Sequence, residues 1–83
     1  ENTFTNFDVH YANSINSIII KNPNTEEIKG IEMQNILGQT IYRNTNIPTE
    51  NYTEIKTNDL NIGAYIISIK TNNETIIKKV VVQ

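Results

Sequence analysis

The chain has 83 residues, with seven basic and nine acidic side chains giving a net charge of −2, and no cysteine. A single domain of this size buries only about 60–65% of its unfolded surface, so its stability depends on close packing. Disulfides, thiolate chemistry and cysteine-based zinc sites are excluded; there is no Lys/Arg cluster for nucleic acid or an anionic bilayer, and no run near the ~20 apolar residues of a membrane span.

Ile, Asn and Thr dominate, while Ala and Leu are rare. The β-branched residues favour strands, and Asn favours turns. Residues 1–6 read as a polar linker. Phe7, Val9 and Tyr11 alternate with Asp8 and His10, the period-2 pattern of a half-buried strand. A polar turn, Ala12 to Asn16, precedes Ser17–Lys21, whose Ile18, Ile19 and Ile20 predict a central strand. Asn22-Pro23-Asn24-Thr25 breaks the chain. Ile28 to Ile36 is the next strand, with Ile31 and Met33 on one face. Gly38 supplies the positive φ of a hairpin turn, and Thr40 to Asn44 returns with Ile41 and Tyr42 as packing groups.

A loop containing Pro48 leads to Tyr52–Thr57, with Ile55 inward. Thr57 to Gly63 forms a compact turn in which Leu60 plugs the core edge. Ala64 to Thr71 sets Tyr65, Ile67 and Ile69 on one face, Asn72-Asn73 forms a hairpin tip, and Thr75 to Val82 is the last strand. Seven short strands, about ten residues apart, predict an all-β, antiparallel Ig-like β-sandwich. The chain lacks an initial Met and a signal peptide, and reads as a piece from the end of something larger or a processed product.

Nothing here supports catalysis. His10 stands alone, Glu26, Glu27 and Asp59 are dispersed carboxylates, Asp59 being better placed to cap a turn than to act as an acid, and three glycines form no phosphate loop. No metal or cofactor is expected.

Three motifs carry a family resemblance. Ile31-Glu32-Met33-Gln34-Asn35-Ile36-Leu37-Gly38-Gln39-Thr40-Ile41-Tyr42 has the form strand, Gly-Gln, strand. Leu60, Gly63, Tyr65 and Ile69 stand as L-x-x-G-x-Y-x-x-x-I, and Lys78-Lys79-Val80-Val81-Val82 as two lysines before an apolar close. In this order and spacing they resemble the type A C-terminal sorting domain of the bacterial type IX secretion system, over about residues 7 to 83. The Pro-Asn-Pro segment common near the family's first strand is replaced here by His10-Tyr11-Ala12-Asn13-Ser14.

The resemblance implies a non-enzymatic signal domain at the end of a secreted cargo of a Bacteroidetes-type bacterium. The cargo's own N-terminal domain precedes it. The outer-membrane translocon and its shuttle proteins recognise it, a cell-surface sortase removes it near residues 1–6, and the cargo reaches the surface or the medium through the periplasm. In the family that the chain resembles, the sortase can also join the cargo to lipopolysaccharide.

The residues suggest how. Gly63 allows a backbone conformation that a Cβ would obstruct, Tyr65 buries a ring and needs a partner for its hydroxyl, and Leu60 anchors the turn. The simpler reading of these three is that they determine the fold and touch no partner, as Gly38 does in its turn. In the last strand Lys78, Lys79, Val80, Val81 and Val82 either form an ordinary strand with solvated lysines or an edge that docks by strand addition. The same edge could pair weakly with a second copy. The other reading is an Ig-like or fibronectin-like accessory or carbohydrate-binding module, and the latter requires Tyr11, Tyr42 and Tyr52 aligned in the open.

Overall fold

The computed structural model describes residues 7–83; the expected linker, residues 1–6, lies outside the described residues. Seven strands follow in order: β1 (Asp8–Ala12), β2 (Ser17–Lys21), β3 (Ile28–Asn35), β4 (Thr40–Asn44), β5 (Tyr52–Lys56), β6 (Gly63–Thr71) and β7 (Thr75–Val82). A single 3-10 turn, Asn13–Ile15, joins β1 to β2, and there is no α-helix among the described residues. The strands form a three-stranded sheet, β1-β2-β5, and a four-stranded sheet, β4-β3-β6-β7, with every pairing antiparallel. The chain changes sheet after β2, β4 and β5, which is the wiring of an Ig-like sandwich.

The alternation read from sequence sets which side chains meet. Ile18 and Ile20 of β2, Ile31 and Met33 of β3, Ile55 of β5 and Ile67 and Ile69 of β6 converge in one buried cluster with Phe7, Tyr65, Val80 and Val82. Each fully buried aliphatic side chain contributes about 1.5–3 kcal/mol. β2 is central in its sheet, as its three isoleucines imply.

Ile41 departs from expectation. Met33 faces Tyr42 and Gln34 faces Thr40, so Ile41 is the extra residue of a bulge and is exposed. Tyr42 packs on the core as expected.

The turns are built by short side chains. The Asn35 Oδ1 accepts from the Leu37 and Gln39 amides at 2.9 and 3.0 Å, and Gly38 takes φ +84°. At the β6–β7 tip neither asparagine has positive φ. The Thr71 hydroxyl instead accepts from the Asn73 and Glu74 amides at 3.3 Å. Asp59 makes no capping bond among the described residues: the Thr57–Leu60 turn closes through the Leu60 amide on the Thr57 carbonyl, 2.9 Å.

Two buried polar side chains add hydrogen bonds beyond the strand ladders, one between loops and one between neighbouring strands of the same sheet. Buried Asn22 donates to the carbonyls of Glu26 (2.8 Å) and Glu50 (3.2 Å), tying two loops together. Buried Ser17 donates to Glu54 at 2.7 Å; this bond, helped by Lys56, holds the Glu54 carboxyl below its ordinary pKa.

Candidate functional site

β6 and β7 form the longest uninterrupted pairing in the molecule, from Gly63 opposite Val82 to Lys70 opposite Thr75, with no bulge. Gly63 begins the hairpin at φ +156°, a torsion that side-chain-bearing residues rarely adopt. The expected role holds through the torsion itself: no neighbouring atom lies within 4 Å of an added Cβ, so the constraint is local to the backbone. Two residues on, Tyr65 is buried and its hydroxyl donates to the Asn61 carbonyl at 2.6 Å. A tyrosine at the start of the sixth strand, bonded back to the preceding corner, is the tyrosine corner of Ig-like sandwiches. Leu60 is half-buried against the same core.

The register brings Gly63, Tyr65 and the three valines together. Tyr65 faces Val80, and Val81 faces Ala64. Lys78 and Lys79 face Ile67 and Ile66, further from the Gly63 end. Gly38 is not in the hairpin. It sits in the β3–β4 turn at the same end of the sheet, since Asn35 pairs with Tyr65. Both motif glycines follow an aliphatic side chain held out to solvent: Leu37 is 78% exposed and Ile62 81%.

Within β7 the residues divide into two sets. Val80 and Val82 are core residues, 5% and 3% exposed, while Val81 is 46% and Ile77 63% exposed. Lys78 shares the inward parity of Val80 and Val82 yet is exposed, as is Lys79. Ile77 is a surface aliphatic that motif reading missed; the only available signal was its alternation with Ile76.

The backbone divides the same way. Facing residues of an antiparallel pair alternate between those that exchange hydrogen bonds and those that do not. The Thr71 amide donates to the Glu74 carbonyl at 2.9 Å, which fixes the phase. Ile76, Lys78, Val80 and Val82 therefore bond to β6. Thr75, Ile77, Lys79 and Val81 turn their N–H and C=O groups away from it, on the side where the sheet has no further strand among the described residues. β1 of the other sheet packs beside β7, and the Tyr11 hydroxyl donates to the Gln83 carbonyl at 3.1 Å.

The aromatic platform needed for stacking a sugar is not formed. Tyr11 and Tyr42 pack on the core. Tyr52 pairs with Lys21 whereas Tyr11 pairs with the core residue Ile18, so these two tyrosines lie on opposite faces of one sheet. A depression of about 860 Å³ around Gly30, Ser68 and Lys70 contains none of the predicted site residues.

A family description, secretion system C-terminal sorting domain, matches residues 9–83. The chain belongs to that family. The sorting domain is the non-catalytic type IX secretion signal of a secreted cargo protein, and it engages the secretion machinery to send that cargo across the outer membrane to the cell surface or beyond. No curated protein matches the chain.

Proposed function

We propose that the outer-membrane translocon and its shuttle proteins recognise this sorting domain through the free edge of β7. The partner adds a strand beside Thr75–Val81, bonding to the outward backbone groups while exposed side chains set the fit. A cell-surface sortase then removes the domain near residues 1–6, leaving residues 7–83 as the folded signal. The observation that carries this reading is the eight-residue, bulge-free edge with an outward-turned backbone at Ile77 and Lys79. Edges of this kind are normally blunted or covered, because they are templates for pairing.

Deleting Val80–Gln83 would remove two core valines and confuse folding with recognition. A proline at Ile77 is a cleaner probe, since it deletes an outward N–H and spares the β6 ladder. With the 83 residues fused to a periplasmic reporter in a type IX-competent cell, the unmodified domain reaches the surface. The Ile77→Pro domain stays folded and leaves the reporter in the periplasm. Export of folded Ile77→Pro at the unmodified level would refute the reading.

A further inference from the structure

Side chains beside the free backbone determine which strand can pair there. Along the edge Thr75, Ile77, Lys79 and Val81 point to the outer face of the sheet, and Ile76 and Lys78 to the opposite side. The two ammonium groups are adjacent in sequence, so an incoming strand meets one on each of its faces. Neither lysine has a carboxylate partner among the described residues: the four ion pairs involve His10, Lys29, Arg43 and Lys56. Their β6 neighbours, Ile66 and Ile67, are apolar. Both charges are thus unspent among the described residues.

A second copy is a poor occupant. Antiparallel self-pairing through the outward groups overlaps most when Thr75 faces Val81 and Ile77 faces Lys79. That register sets Lys78 directly opposite the Lys78 of the copy, and like charges directly opposite destabilise a pair.

We propose that the β7 edge selects an extended strand with two adjacent carboxylates opposite Lys78 and Lys79 and aliphatic residues opposite Ile77 and Val81, and that the same lysines oppose pairing with a second copy. This rests on the edge being the recognised surface and adds the chemistry of the partner. Opposite-charge pairs favour the encounter and like-charge pairs reject competitors, so the lysines act as much by exclusion as by attraction.

The test uses the 83-residue chain and two synthetic ten-residue peptides, followed by amide chemical shifts. One peptide has two adjacent central glutamates flanked by valine and threonine; its control has two lysines in their place. The glutamate peptide is expected to shift the Thr75, Ile77 and Lys79 amides and to bind about tenfold tighter than the control at low salt, with the gap closing as salt screens the charges. The Lys78→Glu/Lys79→Glu variant reverses the preference and associates with the unmodified chain. Equal binding of the two peptides, or shifts away from β7, overturns the proposal. If Ile77→Pro blocks export while the peptides bind equally, the edge reading stands and the charge rule falls. If folded Ile77→Pro exports normally, the edge is not the surface that export uses, and the proposal falls with that reading even if the peptides still discriminate.

Discussion

The four-stranded sheet has two edges, and they are built differently. β4 is five residues long and carries a bulge at Ile41, and its Arg43 is paired with Glu32 at 2.9 Å. β7 is eight residues long, regular, and lined by two lysines with no partner among the described residues. A bulge and a short run end strand addition by distorting the backbone; lysines discourage it only until a carboxylate arrives. One edge is closed by geometry and the other is guarded by charge, which can be reversed. A sorting signal must stay soluble before it is met and bind when it is met, and the second kind of edge serves both needs.

Proline scanning along β7 separates the two phases of that strand most strongly. Lys78→Pro removes a ladder bond to Ile67 and costs about 3 kcal/mol, read as a lower urea midpoint, whereas Lys79→Pro costs under about 1 kcal/mol. Equal losses would mean that the phase assigned to the edge is wrong. Gly38→Ala, in the turn feeding β4, forces a Cβ into positive φ and costs about 1–2 kcal/mol of stability in the same assay. Export should follow the remaining folded fraction and show no further defect.

Glutamate at an exposed aliphatic on each edge sharpens the contrast. Ile41→Glu and Ile77→Glu each change stability by no more than about 0.5 kcal/mol, yet only Ile77→Glu lowers surface delivery. The smallest effect is acidic. The Glu54 carboxyl has its pKa lowered by Ser17 and then Lys56, so its stabilising contribution is complete above the ordinary carboxylate value and fades as pH falls through the lower folded-state value. Thermal melting from pH 6 downward should show Glu54→Gln losing less stability than the unmodified chain on acidification.

Much of this fold was legible because one sheet face is buried, and a period-2 pattern then fixes which side chains face inward. Ile31, Met33, Tyr65, Ile67 and Ile69 were placed by that rule alone. Ile41 was misplaced because a bulge adds a residue without leaving a local signal. Asn22 read only as a breaker, since its role is a bond to the Glu50 carbonyl 28 residues away. The asparagine tip of the last hairpin was located by composition, but the bonds there belong to Thr71. In the candidate site, the motifs singled out the hairpin. Sequence could not divide β7 into core valines and outward backbone, because that phase is set by pairing with β6.

Hydrogen exchange of single β7 amides tests the central claim most directly. In the free sorting domain, Ile77 and Lys79 should exchange quickly while Ile76 and Lys78 are protected by the β6 ladder. On binding to the purified outer-membrane translocon, Ile77 and Lys79 should become protected as well. If they keep their fast exchange in the complex while other parts of the domain gain protection, the β7 edge is not the surface by which this signal is held.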